Sequence, residues 1–291
     1  MIPGSFEYFA PKSLAEAHAL LTRYGDEAKI LSGGHSLIPM MKLRLAMPAY
    51  LIDIGQINDL DYIKEEDGML KIGALTKEAT LETSEVIAKK YPIILDTAKV
   101  IADPLVRNMA TVGGNLAHGD PANDHPATMI ALGAQIVVAG PTGSRTIPVD
   151  EFFVDLMVTQ LQPAEILTEI QIPTPPKKSG GAYLKLERKV GDYAIAAVAA
   201  QLTLKDGDTC AQVGIGLTNV GNVPIKAQKA MDYLTGKKLD EAAIKEAGKL
   251  AADESDPSDD LRGPAEYKRS LVNTLTRRAL HKALARAKGG K

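Results

Sequence analysis

Two short segments with adjacent glycines decide the fold of this chain: residues 31–36 read LSGGHS, and residues 110–115 read ATVGGN. Each places hydroxyl or amide side chains beside its glycine pair, and the first follows an apolar run that predicts a strand. Adjacent glycines lack two Cβ atoms, so successive backbone N–H groups can approach an anion closely. A single pair indicates only a turn, whereas two such segments predict a site for a ligand with two phosphates.

Neither segment matches the common nucleotide-binding fingerprints. The sequence has no G-x-G-x-x-G that opens a helix and no G-x-x-x-x-G-K-[ST], which disfavours a Rossmann dehydrogenase and a P-loop enzyme. It also lacks G-x-S-x-G, so Ser32, His35 and Ser36 do not predict a serine hydrolase. Two histidines and two aspartates lie between residues 118 and 125, but their Gly- and Pro-rich context favours a loop held by its own hydrogen bonds over a metal site.

Composition excludes several classes of protein. The 291 residues carry 34 basic and 36 acidic side chains, a formal net charge of −2 that disfavours a nucleic-acid partner. The one cysteine, Cys210, excludes an internal disulfide and an iron–sulfur cluster bound by this chain's own thiolates. The first residues do not resemble a secretory signal, and the longest apolar run, residues 194–200, is far shorter than the ~18 residues of a membrane span. We therefore expect a soluble cytoplasmic protein.

The pattern of apolar residues and turns favours an α+β fold. Ser13 begins a helix that Gly25 ends, and Asp67-Gly68 predicts a β-hairpin. Residues 110–126 are rich in Gly, Asn, Asp and Pro, which predicts a long ordered loop around the second glycine pair. Strands and helices occur in both halves without a strict βαβ alternation.

A domain boundary is predicted where residues 173–181 read PTPPKKSGG, because proline removes hydrogen-bond donors and glycine loosens the chain. The first domain would span residues 1–177, with subdomains of about 1–55 and 56–177, and the second would span residues 178–291. A basic helix is predicted at the end of the second domain, beside an acidic segment.

The two glycine segments, extended to residues 31–42 and 110–116, resemble the FAD-binding subunits of molybdenum hydroxylases, and most of all the medium subunits of aerobic carbon monoxide dehydrogenases. The resemblance covers essentially the whole chain, since it extends to residues 1–6, 101–104, 119–121, 185–193 and 262–267.

The resemblance implies an FAD-binding domain of the vanillyl-alcohol oxidase and p-cresol methylhydroxylase type, followed by a smaller α+β domain. Both glycine segments would wrap the FAD diphosphate, Asp124 would face the adenosine end, Lys185 would contact the cofactor, and Tyr193 would lie near the isoalloxazine ring. FAD would be held non-covalently, with His35 as a hydrogen-bonding loop residue. The cofactor-binding residues implied in this way are Ser32, Gly33, Gly34, His35, Ser36, Ile101, Ala102, Ala110, Thr111, Gly113, Gly114, Asn115, Asp124, Lys185 and Tyr193.

The resemblance also implies an oxidoreductase subunit without catalytic residues or a metal of its own. A large partner subunit would hold the molybdenum cofactor and oxidise the substrate, with carbon monoxide as the expected one. A small partner subunit would hold two-iron, two-sulfur clusters that pass electrons to FAD, and FAD would deliver them to a quinone, NAD or oxygen. The complex would be a cytoplasmic dimer of heterotrimers, able to associate with the inner face of the cell membrane.

The sequence is also compatible with two other functions. One is a stand-alone flavoenzyme of the same fold, an oxidase or a reductase, and the other is a non-catalytic nucleotide- or metal-binding module. The single residues have alternatives as well, because Tyr193 could fill the core and Lys185 could be a solvated strand residue.

Overall fold

The first sixty residues form a small parallel sheet in the computed structural model, which describes residues 1–290 of the chain. The elements are β1 (Glu7–Phe9), α1 (Leu14–Tyr24), β2 (Ala28–Leu31), α2 (Leu37–Lys42) and β3 (Tyr50–Asp53), and the strand order is β1-β3-β2. Helix α1 begins as predicted, because the Ser13 hydroxyl accepts a hydrogen bond from the Glu16 N–H at 3.2 Å. Its end at Gly25, where φ is +51°, is also as predicted.

A five-stranded antiparallel sheet follows, in the order β4-β5-β10-β6-β7. Asp67 and Gly68 make the predicted hairpin turn, with φ values of +53° and +73°. A long excursion of six helices separates β5 from β6. The elements in chain order are β4 (Ile63–Glu66), β5 (Met69–Gly73), α3 (Glu78–Thr83), α4 (Glu85–Lys90), α5 (Pro92–Val100), α6 (Pro104–Arg107), α7 (Val112–His118), α8 (Asp124–Leu132), β6 (Gln135–Gly140), β7 (Gly143–Pro148), α9 (Val149–Phe152), β8 (Phe153–Asp155), β9 (Val158–Thr159) and β10 (Ile166–Pro173).

The last part of the chain forms a four-stranded antiparallel sheet with three helices. Its elements are β11 (Ser179–Leu186), β12 (Ala196–Leu204), β13 (Cys210–Thr218), β14 (Ile225–Lys226), α10 (Gln228–Leu234), α11 (Glu241–Glu254) and α12 (Ala265–Ala287). The strands follow the order β11-β12-β13-β14. The predicted α+β class is confirmed, because strands and helices occur in both parts without regular alternation.

Helices cover both faces of this last sheet. Along β12, Ala196, Val198 and Ala200 pack into a core shared with α11 and α12. Ala197 and Ala199 point the other way, into a core shared with α5 and α8 of the first part of the chain. A strand buried on both faces needs apolar residues at every position. This explains why the apolar run of residues 194–200 is continuous.

Glycines let these helices lie directly on the sheet backbone. A Cβ atom at Gly214 or Gly216 would collide with carbonyl oxygens of α8, and one at Gly180 would collide with the backbone of α12. The close approach therefore requires residues without a side chain at these three positions.

An ion-pair cluster also joins the two parts of the chain. The Asp96 carboxylate on α5 accepts hydrogen bonds from Lys282 at 3.0 Å and from two Arg286 nitrogens at 2.6 and 3.0 Å. Arg286 donates a further bond to the Gly181 carbonyl at 2.6 Å. Helix α12 thus uses the cations predicted for the chain end to contact the first domain. Nearer its start, Lys268 lies 2.8 Å from Asp260 of the acidic segment.

The connection between the two parts is shorter and tighter than the sequence predicts. Strand β10 ends at Pro173 and β11 begins at Ser179, so only residues 174–178 connect them. The prediction that Gly180 and Gly181 belong to a loose linker is wrong, because both are buried in β11. Their lack of a side chain serves close packing rather than flexibility. The predicted division between residues 177 and 178 lies in this connection.

Cys210 is fully buried in β13, and burial raises the pKa of its thiol to about 11. It is packed as a small apolar residue of the core. Within residues 1–290, no helix combines the length and the apolar character that crossing a membrane requires.

The packing of α12 on β11 gives a first testable prediction. Gly180→Ala should lower the free energy of unfolding by about 1–3 kcal/mol, because the added methyl group must push α12 away from the sheet. The control is Gly4→Ala, where a Cβ meets nothing within 4 Å. Urea denaturation measures both variants, and equal midpoints for the two would contradict this account of the packing.

Candidate functional site

The two glycine segments, 79 residues apart in sequence, meet side by side. The Ser32 hydroxyl lies 2.8 Å from the Thr111 hydroxyl, which joins the segments by a hydrogen bond. Gly33 lies against the backbone of the second segment, where a Cβ would be 2.7 Å from the Cα atom of Ala110. The two segments are therefore held together by the hydrogen bond between Ser32 and Thr111. They can approach each other closely because Gly33 has no side chain.

The first segment offers a row of free backbone donors. In the described part of the chain, the N–H groups of residues 33–36 have no protein acceptor. Gly34 has φ of +77°, a left-handed conformation that turns successive N–H groups toward one side. Unpaired N–H groups that line a cavity form a cradle for an anion, as the sequence analysis predicts for this segment.

The second segment is built differently, and the prediction of a loop over residues 110–126 is wrong. Residues 112–118 form helix α7, whose first turn is capped by the Thr111 hydroxyl at 3.2 Å from the Gly114 N–H. The N–H groups of Val112 and Gly113 donate to Thr76 and Ala74 carbonyls, both at 3.0 Å. These donors are therefore already used within the protein. The glycines serve close packing instead, since a Cβ at Gly113 would lie 2.7 Å from the Cα atom of Ala74.

A buried polar cluster lies at the start of helix α8. The Asp124 carboxylate accepts a hydrogen bond from the Tyr183 hydroxyl at 2.5 Å and another from the Lys185 ammonium at 3.0 Å. Lys185 also donates to the Val100 carbonyl at 3.0 Å. Burial raises the pKa of Asp124, and the charge of Lys185 opposes that rise. With 2% of its side chain exposed, Lys185 is not the solvated strand residue that the alternative predicted.

Tyr193 lies at the edge of the same region with 42% of its surface exposed, so it does not fill the core. The Arg262 guanidinium sits 5.6 Å from the centre of its ring and pairs with Asp192 at 3.1 Å. Arg188 pairs with Asp192 as well, at 2.9 Å, and the two guanidinium groups lower the pKa of Asp192 to about 2. A pair of cations thus anchors the segment that carries the exposed tyrosine ring.

These features surround one open cavity of about 660 Å³. That volume is within the usual range for cofactor and ligand sites, ~300–1,000 Å³. Of the fifteen residues that the resemblance implies, Gly113 alone does not line it, being buried against Ala74. The other fourteen do: Ser32, Gly33, Gly34, His35, Ser36, Ile101, Ala102, Ala110, Thr111, Gly114, Asn115, Asp124, Lys185 and Tyr193.

Part of the cavity wall is not predictable from the sequence. His118 and Asn123 belong to it, although the sequence indicated them only as members of a loop or a metal site. Burial lowers the pKa of His118, which keeps its imidazole neutral near neutral pH. Apolar wall residues such as Met157 and Leu161 carry no motif that could have identified them.

The geometry gives no support to a metal site. His125 turns away from the cavity, and its Nε2 atom lies 2.7 Å from the Glu78 carboxylate in the core. Among residues 1–290, no three His, Cys, Asp or Glu side chains are grouped so that they could hold a metal ion. The residues 118–125 that suggested a metal site are therefore spread over the cavity wall and the core.

Comparison with known families matches both parts of the chain. The family described as the FAD binding domain in molybdopterin dehydrogenase matches residues 4–175, and the CO dehydrogenase flavoprotein C-terminal domain matches residues 181–283. The chain belongs to the molybdopterin dehydrogenase FAD-binding family. The resemblance to the FAD-binding subunits of molybdenum hydroxylases is thereby confirmed, and so is the two-domain α+β fold.

Individual relatives match the chain from end to end. It is 49% identical to the carbon monoxide dehydrogenase medium chain of Afipia carboxidovorans, over 99% of this chain and 100% of that one. The corresponding chain of Hydrogenophaga pseudoflava is 45% identical over 98% and 99% of the two chains. A crystal structure of the Cu,Mo-CO dehydrogenase in its cyanide-inactivated form superposes with a TM-score of 0.96 at 48% identity, covering 98% of this chain and 100% of that one.

The bond between the glycine segments gives the second prediction. Thr111→Val keeps the shape of the side chain but removes the cap of α7 and the bond to Ser32, which should cost about 1–2 kcal/mol of folding stability. The control is Thr235→Val, whose exposed hydroxyl bonds only the Met231 carbonyl, and which should cost less than about 0.5 kcal/mol. Urea unfolding compares the two, and an unchanged midpoint for Thr111→Val would show that the cap is dispensable.

Proposed function

We propose that this chain is the FAD-binding medium subunit of a molybdenum hydroxylase that oxidises carbon monoxide. The observation that carries the proposal is the end-to-end identity of 49% with a carbon monoxide dehydrogenase medium chain. The substrate is favoured because relatives named for other substrates are more distant. A 6-hydroxypseudooxynicotine dehydrogenase subunit is 36% identical, and the medium chain of a glyceraldehyde dehydrogenase is 34% identical.

The residues of the cavity fit FAD. The free N–H groups of residues 33–36 form a cradle for the diphosphate, and Thr111 and Gly114 form the facing wall. The buried Oδ1 atom of Asn115 has no partner within residues 1–290, so it can accept a hydrogen bond from a hydroxyl group of the cofactor. His35 is exposed, and we assign it to hydrogen bonding rather than to a covalent bond with the flavin.

FAD, when bound, supplies the ability to accept and release electrons one at a time. The chain's own part is to set the charge and the water content around it. Lys185 places a buried ammonium group in the cavity wall, paired with Asp124 at 3.0 Å and with Glu187 at 3.3 Å, so the Asp124 carboxylate does not meet an anionic ligand without a counter-charge. Tyr193 presents an exposed aromatic ring that can cover one face of a flat ligand and exclude water from it.

We expect the electrons to come from other polypeptides. With one cysteine in 291 residues, the chain cannot bind an iron–sulfur cluster through four thiolates of its own. We assign two-iron, two-sulfur clusters to a small partner subunit and the molybdenum cofactor to a large one, in a dimer of heterotrimers. The external acceptor is a quinone, NAD or oxygen. The cytoplasmic location and the association with the membrane face stay predictions.

The function is tested on the chain co-produced with its partner subunits. We expect the purified complex to contain one FAD for each copy of this chain, and carbon monoxide to bleach the flavin absorption. Acid precipitation should release FAD into the supernatant, as non-covalent binding requires. Bleaching by a different hydroxylase substrate but not by carbon monoxide would overturn the proposed substrate. Turnover of an organic substrate by this chain alone would instead indicate a stand-alone flavoenzyme.

Lys185 gives the third prediction. Lys185→Met should weaken FAD binding at least tenfold, or about 1.4 kcal/mol, because it leaves the buried Asp124 carboxylate unpaired beside an anionic cofactor. FAD fluorescence of the complex measures this change.

A matched control is Lys226→Met. Lys226 pairs with Asp150 at 2.8 Å, but the pair is about one-third exposed and lies outside the cavity. This variant loses the same ammonium group from an ion pair without placing a charge near FAD. We expect unchanged affinity for FAD, and equal losses in the two variants would contradict a specific role for Lys185.

A further inference from the structure

A buried ion pair that does not line the cavity lies directly behind its wall. The Nε2 atom of His125 and the Oε2 atom of Glu78 are 2.7 Å apart, and neither side chain is exposed to solvent. Glu78 is the first residue of α3, and His125 is the second residue of α8. Although burial disfavours the imidazolium, the charge of Glu78 raises the pKa of His125, with a smaller contribution from Asp124. The contact with Glu78 therefore favours the protonated form of the His125 ring.

The pair connects two walls of the cavity. On one side, the Glu78 N–H donates to the Ala110 carbonyl at 3.1 Å, and the preceding Lys77 forms a β-bridge with Thr111. Glu78 is thus attached to the start of the second glycine segment. On the other side, His125 follows Asp124, whose carboxylate bonds Tyr183 and Lys185. This contact therefore links the second glycine segment to Asp124, in addition to the hydrogen bond that the Asn123 amide donates to the Asn115 carbonyl at 2.8 Å.

Folding stability alone does not explain the pair. Glu78 Oε1 and His125 Nδ1 are both buried and have no protein partner within residues 1–290. An incompletely paired buried charge is costly, and apolar side chains of similar volume are often as stable or more so. A directional hydrogen bond fixes the distance and angle between two groups, whereas apolar contacts do not. The pair therefore indicates that the two elements it joins must be held in one defined geometry.

We propose that Glu78 and His125 are positioning residues that hold the second glycine segment and Asp124 at the separation that FAD binding requires. The inference rests on the proposed FAD-binding function. The pair acts through Thr111 and Asp124 and does not touch the cofactor itself.

The decisive variant is the double substitution Glu78→Leu/His125→Leu in the complex with its partner subunits. It removes both polar groups and both unpaired atoms while keeping the volume, so we expect a urea midpoint, measured without bound FAD, close to that of the wild type. We expect FAD to dissociate at least tenfold faster, measured as the return of free-flavin fluorescence after dilution. Glu78→Gln, which can still bond His125, should stay within threefold of the wild-type rate.

The matched control is Thr97→Val/Thr128→Val. These hydroxyls lie 2.6 Å apart in a buried bond between α5 and α8, and neither lines the cavity. This control should leave the FAD dissociation rate unchanged whatever its effect on the urea midpoint, because the contact it removes is attached to neither wall of the cavity.

Wild-type dissociation of FAD from the double leucine variant would overturn the inference and leave the proposed function intact. The inference would also be overturned if the rate of FAD dissociation changed in proportion to the urea midpoint in both the leucine and the valine variants. The pair would then contribute to stability alone. A wild-type complex that contains no FAD would overturn the proposed function instead. If the leucine variant does not fold, Glu78→Gln decides, since a tenfold faster release from it would contradict positioning by the hydrogen bond.

Discussion

The contact of helix α8 with strand β13 is the constraint on which the rest of this structure depends. Gly214 and Gly216 allow the helix backbone to rest on the strand, and a methyl group at either position would push it away. Helix α8 begins at Asp124. The packing of this helix on the sheet of the second domain therefore fixes the position of the Asp124 carboxylate. The domains are therefore not independent units joined by a linker, because one places an element of the other.

Ion pairs and hydrogen bonds complete the interface between the two domains. Asp124 belongs to the first domain, whereas Tyr183 and Lys185, which bond it, belong to the second. Asp96 of the first domain and Arg286 of the second form another such pair. A buried charge is tolerated only when it is paired and hydrogen-bonded, so each domain supplies what the other would otherwise leave unsatisfied. The complete cavity wall exists only when both domains have folded against each other.

The sequence predicts most clearly those features whose cause is local. The first glycine segment follows a strand and turns at Gly34, and nearby residues explain both facts. The second segment has the composition of a loop, and glycine disfavours a helix by ~1 kcal/mol, yet residues 112–118 are helical. The reason is packing on Ala74, which no local pattern reveals. Family resemblance alone indicates Asp124 and Lys185 as cofactor-binding residues, and no feature of the sequence indicates Tyr183. The contacts are too distant along the chain for a local pattern to show them, because Asp124 lies 59 residues from Tyr183 and 61 residues from Lys185.

The state of Cys210 has a practical consequence for work on electron transfer in this protein. Its thiol is inaccessible and, with a pKa of about 11, almost entirely protonated at neutral pH, so it reacts slowly with alkylating reagents. A cysteine introduced at the exposed Val190, next to the cavity residue Gly191, would be the one fast-reacting thiol of the chain. A spectroscopic reporter could then be attached there in a single step, with the native core left unaltered.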